Sequence, residues 1–123
     1  GRSEKEAGIY YSVSNDDGES FAPRRLVHAN TAPEILYSTL AVGNDDTVYL
    51  AWSNLDSYNR AQVFVRSLSA DDRSSGPIQQ VSSAKGNASR PVLAVSKNQL
   101  HVAWTETDGE ESRVVLRSAT VAR

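Results

Sequence analysis

The chain repeats itself at about 52 residues, and no other feature constrains its fold as much. Leu40-Ala41-Val42-Gly43-Asn44-Asp45-Asp46-Thr47-Val48-Tyr49-Leu50-Ala51-Trp52-Ser53 aligns with Leu93-Ala94-Val95-Ser96-Lys97-Asn98-Gln99-Leu100-His101-Val102-Ala103-Trp104-Thr105. The two Trp stand 52 residues apart, and Val65-Arg66-Ser67 returns as Leu116-Arg117-Ser118. A third, partial copy lies upstream, where Tyr11-Ser12-Val13-Ser14-Asn15-Asp16-Asp17 aligns with Arg66-Ser67-Leu68-Ser69-Ala70-Asp71-Asp72. A repeat of this length is one supersecondary unit that cannot bury its apolar faces alone and must stack on its neighbours.

Each unit reads as short strands. Segments 47–53, 61–68, 99–105 and 112–119 are rich in Val, Leu, Phe, Tyr and Trp and are bounded by Gly, Asn, Asp and Ser, the residues of tight turns. Shorter strands are expected at 39–42, 78–81 and 92–95, and in the first copy at 9–13 and 24–27. No segment sustains a 3.6-residue apolar period, so the expected class is all-β. The strands group as two, then four, then three. Repeated four-stranded antiparallel units of about 50 residues are characteristic of propeller blades. The expected organisation is one partial propeller over residues 1–123: the end of one blade at 1–30, a full blade at 36–84 and most of a third at 90–121. An immunoglobulin-like sandwich also uses about this many strands, but a 52-residue repeat argues against it.

One motif points to a family. Ser14-Asn15-Asp16-Asp17-Gly18-Glu19-Ser20-Phe21 is an S-x-D-x-G-x-x-F sequence. It resembles the Asp-box of the sialidase-like (BNR repeat) β-propellers, which joins the last two strands of a blade. In such a turn Asp16 accepts backbone N–H bonds, Gly18 supplies a positive φ, Ser14 ties the strand end and Phe21 folds back as an apolar plug. The second copy keeps Ser69-Ala70-Asp71-Asp72 but has Arg73 in place of the glycine. Where a calcium loop would place its closing Glu, the first copy has arginine.

The resemblance implies a six-bladed ring, of which this chain holds little more than two blades. The rest would come from a longer chain, a partner subunit or a homotrimer of two-blade chains closing by rotation. With no Met, the chain reads as a processed product or a piece of something larger. Sialidases of this family use three arginines on the substrate carboxylate, a Tyr–Glu nucleophile pair and an Asp acid/base. The arginine motif near their start is absent here, so a complete catalytic set does not map onto the chain. A non-catalytic binding or scaffold module is expected, with a glycoside hydrolase completed by residues elsewhere as the rival. Family habit implies a secreted or periplasmic setting.

The fold would bring the loops at 29–36, 54–59, 82–89 and 106–111 to one end, opposite the Asp-box. Arg90, opening a strand at that end, would face a central funnel, and Tyr37 is its counterpart one blade earlier. An arginine there suits an anion, since its planar fork pairs with carboxylate, while Arg90-Pro91 also reads as ordinary repeat consensus; the ligand expected on this face is a carbohydrate or a partner protein. Trp52 and Trp104 recur inside strands and read as packing residues rather than sugar platforms. Arg66 and Arg117 read as solvated or cross-strand charges. Glu106, Asp108, Glu110 and Glu111 read as a solvated acidic hairpin tip. His28 and His101 fall in different repeats with no carboxylate at ligand spacing, so no metal and no cofactor is expected.

Composition excludes other classes. A net charge of -2 does not suit a general nucleic-acid binder. No apolar run approaches the roughly 20 residues needed to span a bilayer as a helix. The absence of Cys rules out thiol nucleophiles and disulfide scaffolds, and neither a G-x-S-x-G elbow nor a Gly-rich phosphate loop occurs.

Overall fold

The computed structural model describes residues 8–29, 35–69, 76–83 and 86–121, and every regular element among them is a β-strand. The chain divides into two compact units, Gly1–Glu34 and Ile35–Arg123. In the first, β1 (Gly8–Tyr11) pairs antiparallel with β2 (Arg25–Ala29). Arg25 donates to the Tyr11 hydroxyl across this hairpin at 2.6 Å.

The second unit holds two antiparallel sheets. β3 (Ile35–Val42), β4 (Val48–Leu55), β5 (Ala61–Leu68) and β6 (Gln79–Gln80) form a four-stranded sheet in chain order. β7 (Asn87–Ser96), β8 (Gln99–Asp108) and β9 (Glu111–Thr120) form a three-stranded one. The grouping into two, four and three strands is the one expected from the repeat. The second copy of the Ser14–Phe21 motif expected from the repeat begins at Ser69, and its residues 70–73 lie outside the described residues.

The two sheets pack face to face. Ala51, Val63 and Val65 of the four-stranded sheet meet Ala88, Val102 and Trp104 of the three-stranded one in a single buried cluster, with Val81, Leu93, Leu100 and Val115 at its margin. The alternation of side chains along a strand explains which residues meet. Ala51 pairs with Val65 and Ser53 with Val63 on one face, while Trp52 pairs with Phe64 on the other. Trp52 stacks on Phe64 at 6.2 Å between ring centroids. Both Trp are buried, as expected of packing residues. A sheet apolar on both faces is what the repeat demands, and β4 is accordingly buried over Tyr49–Ser53.

β3 and β7 are longer than expected from the sequence, because each pairs on through an irregularity. In β3, Leu36 faces Ser53 and Ser38 faces Trp52, which leaves Tyr37 as an extra residue. In β7, Ser89 faces Thr105 and Val92 faces Ala103, so Arg90 and Pro91 share the space opposite Trp104. These are β-bulges at repeat-equivalent positions. They break the period-two pattern, and a bulge is one of the few places a sheet accepts proline.

Gly86 leads into β7 where backbone approaches closely: a Cβ there would run into the Thr107 carbonyl. Glu106, expected on a solvated tip, is instead buried in β8. Its carboxylate accepts from Trp104 Nε1 at 3.0 Å and faces Arg113 Nη2 at 3.4 Å. The hairpin tip is only Gly109 and Glu110, between the paired Asp108 and Glu111.

Trp104→Ala should therefore cost about 3–5 kcal/mol in urea unfolding, since it opens a cavity between the sheets and strips a donor from Glu106. Val114→Ala, on an exposed face of the same sheet, should stay within about 0.5 kcal/mol of the parent.

Candidate functional site

The two bulges bring the two sequence-predicted site residues together. Tyr37 and Arg90 both adopt left-handed backbone, with φ of 39° and 59°. Neither is the Gly or Asn that tolerates this conformation cheaply, and each position stores roughly 1–3 kcal/mol of strain. The result is that the Arg90 guanidinium lies over the Tyr37 ring, 5.0 Å from its centroid. Tyr37 is 51% exposed and Arg90 is exposed as well. A guanidinium stacked in this way keeps the edges of its planar fork free to donate.

A second pair of the same kind stands at the same end of the four-stranded sheet. Between β4 and β5 the turn Asp56-Ser57-Tyr58-Asn59-Arg60 places Arg60 over the exposed Tyr58 ring at 5.1 Å. Asp56 organises this turn. Its Oδ1 accepts from the backbone N–H groups of Tyr58 at 2.8 Å and Arg60 at 3.0 Å. Arg60 Nε lies 3.4 Å from Asp56 Oδ2. The Arg60 N–H first, then the Tyr58 N–H, the Gln62 amide and the Arg60 charge, hold the Asp56 carboxyl below the usual carboxylate range.

Beneath these exposed pairs lies a polar network that sequence reasoning missed. Gln62 is fully buried yet satisfied: its amide donates to Asp56 Oδ2 at 3.1 Å and to the Gly86 carbonyl at 3.2 Å, and its Oε1 accepts from Ser82 at 2.6 Å. The Ser82 hydroxyl in turn accepts from the Val63 N–H at 3.0 Å. Asn87 Oδ1 accepts from the Ala61 N–H at 2.8 Å. This network ties the β4–β5 turn to the connection entering β7, which carries Arg90. A Gln in the alternation of a strand offers only one signal, a polar residue where an apolar one belongs.

The Ser14–Phe21 turn of the first unit closes largely on its own side chains. Ser14 Oγ accepts from the Gly18 N–H at 2.8 Å and donates to Asp16 Oδ1 at 2.8 Å. Asp16 Oδ1 also accepts from the Ser20 N–H at 2.9 Å, and Oδ2 accepts from the Ser20 hydroxyl. Gly18 has φ of 91° and Asp17 of 63°, so the turn needs left-handed backbone twice. Phe21 departs from the expectation: it is 62% exposed and plugs nothing. The side-chain bonds of Ser14 and Asp16 close this turn without it.

Three further candidates, Arg66, Arg117 and His101, make hydrogen bonds within the fold. Arg66 Nε donates to the Gly76 carbonyl at 2.9 Å and Arg117 Nη1 to the Val81 carbonyl at 2.7 Å, so each braces its strand against neighbouring backbone. His101 Nδ1 shares a hydrogen bond with the Ser118 hydroxyl across β8 and β9 at 2.7 Å. Among the described residues no group of three or more His, Asp or Glu is placed to hold a metal ion. Searches for similarity find no family profile, no curated protein and no solved structure that matches this chain.

The Ser20 hydroxyl and N–H, and then the Ser14 hydroxyl, lower Asp16 from 3.8 to about 2. A carboxylate depressed on folding stabilises the turn above its ordinary pKa, and that contribution fades as pH falls toward the folded value. The protection of the Ser20 amide, its exchange measured against the unstructured chain at the same pH, should therefore fall between about pH 4 and pH 2. Asp16→Ala should show the lower protection already at pH 7, with no further acid step.

Proposed function

We propose that this chain is a segment of a sialidase-like β-propeller and acts as a non-catalytic module that binds an acidic carbohydrate at Arg90. The observation that carries this reading is the twin bulge. Two residues of unfavourable backbone are held at equivalent positions of two sheets, and together they present an exposed cation on an exposed ring. Bulges re-aim side chains at the ends of sheets and concentrate beside functional sites. The guanidinium fork suits the sugar's carboxylate, and the faces of Tyr37 and Tyr58 suit its apolar ring face. The repeat length, the strand grouping and the closed Asp-box turn support the propeller reading.

The test is a titration with N-acetylneuraminic acid and with glucuronic acid, followed by amide shifts at Tyr37 and Arg90, with glucose as the neutral control. The acidic sugars should shift both residues and glucose should not. Arg90→Ala should weaken binding roughly 10- to 100-fold, as expected for losing hydrogen bonds to a charged group. Tyr37→Ala should weaken it less. Equal response to glucose, or unchanged affinity in Arg90→Ala, overturns the reading. Turnover of a fluorogenic sialoside that is lost in Arg90→Ala would make the module catalytic instead.

A further inference from the structure

The two sheets of the second unit meet tightly around the Trp104 indole and part beyond it. Packed sheets stand about 10 Å apart, a gap that an indole spans and that Val and Ala leave open. Past Trp104 the facing side chains are Leu100, Val102 and Ala119 of β8 and β9, with Val65 and Val81 opposite them. They enclose a cavity of about 160 Å³. Val65 and Val102 are buried within it, Val81 and Leu100 are half-buried at its walls, and Ala119 is exposed at its opening. By contrast, the hollow bordered by Gly43, Tyr49 and Lys97 holds only about 10 Å³, the space of a single water. An aliphatic space of the larger size accepts a benzene ring. It suits water poorly, because a held water needs several polar partners.

Among the described residues one charged side chain borders this cavity, Arg117, and no carboxylate does. Arg117 Nη1 donates to the Val81 carbonyl at 2.7 Å, and the Val81 N–H donates to the Val63 carbonyl at 2.9 Å. The backbone of the facing sheet thereby fixes the guanidinium at the edge of the apolar space. Its Nε and Nη2 have no protein partner among the described residues. Arg113, on the same face of β9, is answered by Glu106 at 3.4 Å. No such carboxylate answers Arg117 among the described residues.

We infer that this cavity between the sheets binds a small aromatic carboxylate, with its ring against Val65, Leu100 and Val102 and its carboxylate on the open edge of the Arg117 fork. A single ring matches the volume, and guanidinium pairs with carboxylate through two parallel hydrogen bonds. An acid as small as acetate leaves the cavity unfilled, and a neutral ring leaves the guanidinium unanswered. The cavity lies at the β9 side of the three-stranded sheet, whereas Arg90 stands on β7 at the opposite edge. The inference does not rest on acidic-sugar binding at Arg90, and the two fail separately.

The test is a titration of the full chain, methyl-labelled for NMR, with benzoate, benzyl alcohol and acetate. Benzoate should shift the methyls of Val65, Leu100 and Val102 saturably, with Kd on the order of 1 mM or tighter, as a ligand of this size can reach. It should bind roughly tenfold more tightly than benzyl alcohol, the step expected of hydrogen bonds to a charged group. Acetate should shift none of the three. Arg117→Gln should weaken benzoate roughly tenfold and leave benzyl alcohol within about twofold of the parent. Ala119→Phe, at an exposed position, puts a ring of the protein's own into the cavity and should abolish binding of both, with the amide spectrum reporting intact sheets. Arg90→Ala should leave benzoate affinity unchanged. The inference is overturned by benzoate binding that is undiminished in Arg117→Gln or in Ala119→Phe, by equal affinity for benzoate and benzyl alcohol in the parent, or by the absence of saturable shifts at the three methyls. Benzoate shifts confined to Tyr37 and Arg90 overturn it as well, and assign the anion to that pair.

Discussion

A sheet that is apolar on both faces has to be covered twice, and the second unit of this protein is arranged around that constraint. β4 is buried through Tyr49–Ser53, so both faces of the four-stranded sheet are covered at that strand. One face is closed by Ala88, Val102 and Trp104 from the next sheet. Small residues meet a large one there: Ala51 and Ala88 leave the room that the Trp104 indole fills, which is how facing layers reach interior packing density.

Hydrogen bonding holds three of the buried polar side chains in place. Gln62, Ser82 and Glu106 are all buried, and each is satisfied by named partners rather than left in apolar surroundings. A half-satisfied network would cost more than an apolar replacement. Here the network joins the β4–β5 turn to the backbone at Gly86, ahead of β7, and so settles where the strand bearing Arg90 begins. The exposed Arg90–Tyr37 pair sits on two strained bulges whose flanking strands are pinned on the interior side.

Much of this architecture was legible in the residues. Alternation in Val48–Leu55 and Ala61–Leu68, the turn residues between them and the 52-residue return of Trp pointed to the strand order and the grouping into sheets. The Ser14–Asp16–Gly18 turn was legible too, because its hydrogen bonds are local and each residue type serves one geometric need. Tyr37 and Arg90 could be paired by repeat alignment. Their bulged, left-handed backbone could not, since nothing in Tyr or Arg favours a positive φ. Glu106 and Phe21 misled for a related reason: an acidic residue near a hairpin and an aromatic after a turn have common fates, and here the neighbours reversed both.

The amino-acid order therefore settles the local matters: which segments extend, where they turn, which face of each strand is apolar and that the unit recurs. These depend on side-chain alternation and turn chemistry over a few residues. Which face is covered, where a strand bulges and which polar side chains go inside depend on contacts between segments tens of residues apart. Val63 and Val114 occupy the same place in the repeat and have the same side chain, yet one is buried and the other bare. The difference is the presence of the next sheet, a property of the assembled structure that no single strand encodes.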